Sequence, residues 1–359
     1  MNCKIGIVTL VGNFNYGNRL QNFALQEAIS NLGYTAQTLG VKNQEKIYKK
    51  TIKKILFYSS GIITKNARIN NFARCIKIEK FTNKYINQSE YSLPIEKNRD
   101  IDKHFDTFIV GSDQVWNPHY NLNNNYFLNF TNKRKISYAA SLGITNLPKK
   151  FENNLIQALD SFYAISVREQ SAVNILQSKI NKKINFVLDP TFLLTKNQWE
   201  EYISTYHLKN IEENYILLYF LGDISEEIWR KINELSILYD AKIINLMDSQ
   251  NQKYYVIDPF EFLLYIKNCT LFFTDSFHGT VFSIILNKQF VVCERSLGAD
   301  GNMNTRLESL LDNFKLNNRT FTMQISMNLW TNQNFDKVNK ILSIYRSESL
   351  NFLKQSLED

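Results

Sequence analysis

Short apolar, β-branched runs alternate along this chain with polar turns and with stretches whose apolar residues return every three or four positions. Lys4–Val11 is the first such run. A polar turn follows (Gly12 to Asn18), and then Leu20, Phe23, Ala24, Ala28, Ile29 and Leu32 recur at helical spacing, with Gly33 placed to end the helix. Strand-like runs return at Thr107–Gly111, Ile136–Ala140, Ala164–Val167 and Phe186–Leu188, and polar motifs close them: Ser112-Asp113-Gln114, Ser141-Leu142-Gly143, Arg168-Glu169 and Asp189-Pro190. A second series pairs strand Tyr215–Leu221 with helix Glu226–Leu238, strand Lys242–Leu246 with helix Pro259–Lys267, and strand Leu271–Thr274 with helix Thr280–Leu286. Strand Phe290–Cys293 and helix Arg306–Phe314 follow, and the tail from Phe335 is helical and amphipathic. Strand, polar loop, helix is the grammar of a parallel sheet covered by helices.

The pattern predicts an α/β protein with two Rossmann-like domains facing across a cleft. Residues 1–195 form the first, carrying a basic insertion at 42–86; residues 196–333 form the second; residues 334–359 form a C-terminal helix. A helix around Trp199–Tyr206 links the halves. The length of 359 residues suits two domains. The longest apolar runs fall far short of the roughly 20 residues that span a bilayer. The start, Met1-Asn2-Cys3-Lys4, leads straight into a strand, so no signal peptide is expected. Cys3, Cys75, Cys269 and Cys293 are scattered without a C-x-x-C pair, as are the four histidines, which predicts a reduced cytoplasmic protein with no metal site.

Charge alters the picture in one place. Residues 42–86 hold twelve Lys and Arg against two acids, a net +10, so the rest of the chain carries −2 of the total +8. One surface facing something anionic is the expectation, either the inner face of the plasma membrane or a lipid-linked diphosphate. A solvated Lys-rich excursion is the plainer alternative. The segment has no zinc-finger, RNP-like or helix-turn-helix pattern, so nucleic acid is not an expected partner.

In open α/β sheets, ligands bind beyond the carboxyl ends of the strands, so chemistry is sought there. Asp275-Ser276-Phe277-His278-Gly279-Thr280 lies between a strand and a helix N-terminus, where free N–H groups and the helix dipole favour anions. His278 there can donate to a phosphate or move a proton near neutral pH, or else be a turn residue beside a capping Asp275 or Ser276. Arg168 ends a strand, and its planar fork fits carboxylate or phosphate; the plainer reading is an ion pair. Asn15, Tyr16, Gly17 and Arg19 place amide, hydroxyl and cationic groups at a strand end, as a sugar site would need, or simply make a turn. This loop is neither G-x-G-x-x-G nor a P-loop. Asp113 and Gln114 suit sugar hydroxyls and Trp116 suits a sugar face, unless Asp113 is a cap and Trp116 is core. Arg295 and Arg306 are candidate phosphate ligands or solvated charges.

These motifs resemble the polysaccharide pyruvyl transferase family. The resemblance rests on Gly6-Ile7-Val8-Thr9, Asn15-Tyr16-Gly17, Leu20 to Gln26, Val110 to Pro118, Ser166 to Glu169, Leu188 to Thr191 and Asp275 to Thr280, which occur in family order. It implies a GT-B-like fold whose final helix packs back on the first domain. It also implies phosphoenolpyruvate as co-substrate, with no metal or other cofactor, and a sugar acceptor of a cell-surface polysaccharide (exopolysaccharide or capsule) or its lipid-linked precursor. Arg168, Ser276, His278, Gly279, Arg295 and Arg306 would then serve the donor. Asn15, Tyr16, Gly17, Arg19, Gln114 and Trp116 would serve the acceptor, with His278, Arg168 and Asp113 as catalytic candidates. A GT-B glycosyltransferase using a nucleotide sugar is the first alternative, and a scaffold of a glycan-assembly complex the second.

Overall fold

A computed structural model describes residues 3–12, 15–41, 65–95, 100–120, 124–144, 146–206, 214–295, 303–322 and 333–358. Residues 42–64 of the basic segment, Asn13, Phe14 and Asn302 lie outside the described residues. The chain divides into two compact units, residues 1–48, 81–194 and 342–359 in the first and residues 49–80 and 195–341 in the second.

The first unit is built on seven strands: β1 (Lys4–Val8), β2 (Thr35–Val41), β3 (Gln88–Leu93), β4 (Thr107–Asp113), β5 (Arg134–Ala140), β6 (Ala164–Val167) and β7 (Ile184–Phe186). Their order is β3-β2-β1-β4-β5-β6-β7, every pair parallel. Strands covered on both faces need continuous apolar sequence, and every residue of β4 is buried. One face of the sheet packs Phe108, Val110, Leu155, Leu159 and Phe162; the other packs Ile5, Ile7, Ile109, Ile136 and Leu25. The strand order reverses direction between β1 and β4, the switch point of a doubly wound sheet.

The second unit carries β8 (Tyr215–Tyr219), β9 (Lys242–Asn245), β10 (Leu271–Thr274) and β11 (Phe290–Val292) in the order β11-β10-β8-β9, again all parallel. Its switch point lies between β8 and β10.

The α/β class and the Rossmann-like build of both units agree with the sequence pattern, and helix Glu226–Leu238 and strand Leu271–Thr274 have the expected bounds. β2 and β3 carry no strand expectation, because their sequences TAQTLGV and QSEYSL are too polar for an apolar-run criterion. The final helix, Asp336–Glu358, packs on the first unit. Leu353 and Leu357 join Ile5 and Ile7 in the core, and the Arg346 guanidinium donates to the backbone oxygens of Phe192 and Leu194. The basic segment differs from expectation. Its described helix, Lys65–Tyr85, belongs through residue 80 to the second unit, not the first. Specific polar contacts hold it there: Lys77 to Glu261 at 2.6 Å, Asn70 Nδ2 to the Ser249 oxygen at 2.9 Å, and the Arg74 guanidinium 4.6 Å over the Tyr255 ring.

Candidate active site

Both switch points carry polar clusters. In the first unit, Gly111 lies near the carboxyl end of β4 with a positive φ of 119°, and a Cβ there would strike the Tyr138 backbone oxygen. Only glycine fits this approach, and it turns Ser112 and Asp113 onto the carboxyl edge of the sheet. Arg168, directly after β6, reaches the same edge. Its side chain is 1% exposed, and each guanidinium nitrogen donates to a different carboxylate: Nη1 to Asp189 at 2.7 Å, Nη2 to Asp113 at 3.2 Å and Nε to Glu169 at 3.3 Å. Burial opposes the charge, but the three carboxylates outweigh it and raise the Arg168 pKa above its ordinary value.

Asp113 is held from several sides. Its Oδ2 accepts from Asn18 Nδ2 at 2.9 Å and its Oδ1 from the Gln114 amide at 2.9 Å. Asn18 Oδ1 in turn accepts from Arg19, whose Nη2 also donates to the Leu10 backbone oxygen at 2.7 Å. Burial pushes the Arg19 pKa down to about 10, partly offset by Asp113. Asp189 Oδ1 accepts from the Thr191 amide and hydroxyl, and Ser112 Oγ donates to Asp189 Oδ2. Glu169 Oε1 accepts from Ser141 Oγ at 2.5 Å, while its buried Oε2 has no partner. The sequence candidates Arg168, Asp113 and Arg19 thus meet in one network.

Other candidates of this unit are placed differently. Asn15 caps helix Tyr16–Asn31, its side chain accepting from the Asn18 amide. Tyr16 and Gly17 are buried at the start of that helix, so Tyr16 shows no face to a sugar. Trp116 is 0% exposed, donates Nε1–H to the Tyr126 oxygen and packs edge-on against Phe162; it is core and not a stacking platform. Gln114 is committed to Tyr120 and Asn117.

In the second unit, Asp275 follows β10 and gathers the switch-point loops. Its carboxylate accepts from the Leu221 and Gly222 amides at 2.7 and 2.8 Å and from Arg295 Nε at 2.9 Å. A Cβ at Gly222 would lie 2.8 Å from Arg295 Cγ, so a bare backbone is required at this contact. Ser276 caps helix Phe277–Ile285, its Oγ accepting from the Gly279 amide, which starts this helix three residues before the expected Thr280. His278 lies in the first helical turn, 6% exposed, its ring 5.3 Å from that of Phe277. The Arg306 guanidinium is 5.9 Å from the Phe277 ring centre. Asn304 brackets the Arg295 backbone, accepting from its amide at 3.1 Å. Arg295 and Arg306 therefore both flank the helix start that carries His278. The N–H groups and dipole of such a turn favour an anion.

Sequence reasoning did not single out Asp189, Asp275 or Arg74. Asp189 read only as part of the polar motif that closes a strand and Asp275 as a cap, and each does bond local groups, which hides the longer-range bond to an arginine. Arg74 read as one of many basic residues; it is 2% exposed, and its Nη1 donates to Met247 Sδ at 3.3 Å. Burial pushes the Tyr219 hydroxyl up to about 12. Among the described residues, no group of three or more His, Cys, Asp or Glu side chains is arranged to hold a metal, and no helix is long and apolar enough to cross a membrane.

A family model described as polysaccharide pyruvyl transferase matches residues 15–296. No curated protein matches the sequence significantly. Among solved structures, a putative UDP-N-acetylglucosamine 2-epimerase from Listeria monocytogenes is similar at 13% identity, with 97% of each chain covered and a TM-score of 0.48. UDP-GlcNAc 2-epimerase from Methanocaldococcus jannaschii, in complex with UDP-GlcNAc and UDP, is similar at 14% identity, covering 95% of this chain and 99% of that one with a TM-score of 0.45. MurG of Acinetobacter baumannii is similar at 9% identity, with 98% of each chain covered and a TM-score of 0.42.

Proposed function

The chain belongs to the polysaccharide pyruvyl transferase family, and from that premise we propose that it moves the pyruvyl unit of phosphoenolpyruvate onto two hydroxyls of one glycan sugar, closing a cyclic ketal. The observation that carries this reading is the family match over residues 15–296, which takes in both switch-point clusters. The acceptor is a cell-surface polysaccharide or its lipid-linked precursor, and the reaction needs no metal or organic cofactor.

The steps balance without a redox partner. The methylene carbon of phosphoenolpyruvate takes a proton, leaving an oxocarbenium-like centre at C2. A sugar hydroxyl bonds to C2, the C2–O bond to phosphate breaks, and a second hydroxyl closes the ketal. Of the two hydroxyl protons released, one replaces the proton delivered to the methylene and the other leaves with phosphate. The second unit suits the phosphate end: Ser276, His278 and Gly279 open a helix whose dipole favours an anion, with Arg295 and Arg306 beside it. His278 is the acid for the departing phosphate. Asp113 is the base for a sugar hydroxyl, held by Asn18 and Arg168. Because Arg168 already serves three carboxylates, its part in this scheme is to orient Asp113.

Calorimetry of phosphoenolpyruvate binding, followed by phosphate release on adding glycan acceptors, tests the reading. Saturable binding is expected, and His278→Ala should lower turnover by about 100-fold or more, the scale of a lost acid. Turnover with a nucleotide sugar and none with phosphoenolpyruvate would replace this reading by a glycosyltransferase.

A further inference from the structure

A pocket of about 530 Å³ opens at the amino end of β5, at the opposite end of the strands from the Asp113–Arg168 network. The seven residues of β5 put the two ends on the order of 20 Å apart. One wall is a helical face: Asn154 and Gln157, three apart on helix Lys149–Leu159, with Ser161 just beyond. The facing wall holds Asn129 and Asn132, and Lys135, 8% exposed, completes the lining.

The chemistry of this lining is selective. Four side-chain amides each offer a donor and an acceptor, the pattern that pairs with neighbouring sugar hydroxyls. None of the four makes a side-chain hydrogen bond to another described residue. Lys135 Nζ donates to Ser161 Oγ at 3.2 Å. A buried ammonium attracts a carboxylate more strongly than one in water does. The volume lies in the range of small-ligand sites and accepts a mono- or disaccharide.

We infer that this pocket is a second binding site, specific for a short saccharide that bears a carboxylate. It does not depend on the proposed reaction, because it lies at the other end of the first unit's sheet from the Asp113–Arg168 network.

Titration calorimetry of the full chain with methyl β-glucuronide and with methyl β-glucoside, both without phosphoenolpyruvate, tests the inference. Saturable glucuronide binding is expected, about tenfold tighter than that of the uncharged glucoside, the scale of one added charged contact. Lys135→Met should erase that preference. Gln157→Ala alters an exposed position, should leave Tm unchanged, and should weaken binding about fivefold or more. Absence of saturable glucuronide binding, equal affinity for the two glycosides, or binding untouched by Gln157→Ala at an unchanged Tm would each overturn it.

Discussion

Arg168 is the residue on which the first unit's polar edge depends. Removing it leaves Asp113, Glu169 and Asp189 buried without their common cation. Breaking a buried pair costs about 3–5 kcal/mol. Arg168→Ala should therefore lower the denaturation midpoint as well as turnover. Asp113→Asn should separate the two: it keeps the side-chain shape, stays folded by circular dichroism, and loses about 100-fold or more in phosphate release. If Asp113→Asn turned over normally, the base would have to be sought elsewhere, with the unpartnered Glu169 Oε2 next in line. The placement of Arg168 and Asp113 was legible because each lies in the polar motif that closes an apolar run, and the two prove to be 3.2 Å apart. Trp116 and Tyr16 were misread for a physical reason. A motif rich in polar residues says nothing about which way an aromatic ring packs, and both rings are buried. Asp189 and Asp275 escaped notice because their partners lie 21 and 20 residues away in sequence.

At the scale of elements, the helix starts hold the second unit's geometry. Ser276→Ala removes the cap of helix Phe277–Ile285 and should cost about 1 kcal/mol in urea denaturation. Asp258 caps helix Pro259–Asn268, accepting from the Phe260 and Glu261 amides at 2.8 and 2.9 Å. Burial nonetheless pushes its carboxyl pKa up to about 6. The folded value lies above the unfolded one, near 4. Between those values the folded chain holds the extra proton, so this group's contribution to stability falls as pH rises through the window. Asp258→Asn keeps a cap acceptor and removes the ionisation. Its Tm relative to wild type should rise between pH 4.5 and pH 8, and an unchanged difference would refute the assignment. Most elements were readable from apolar runs, and the residues that follow them mark both switch points. β2 and β3 were not, since Gln88, Ser89 and Glu90 become strand only through pairing with β2.

On the scale of the whole molecule, sequence order and spatial order part company twice. Residues 65–80 leave the first half of the chain to join the second unit, and residues 342–358 return to the first. Neither exchange is encoded in local periodicity. Partners such as Glu261 for Lys77 and Phe192 for Arg346 decide them. Leu353 is fully buried against the first unit, so Leu353→Ala should cost about 2–5 kcal/mol and lower Tm. A surface helix would tolerate that change with no measurable shift.

The returning helix has a consequence for biosynthesis. Domains commonly fold in order as the chain leaves the ribosome. Here the face formed by Ile5, Ile7 and Ile109, partly covered by Leu25, Ala28 and Ile29, is completed only after Leu353 and Leu357 have been made, by which time residues 195–341 have already emerged. The first half to be synthesised is thus the last to close. During that interval the part of its apolar face left uncovered is a ready target for holding chaperones.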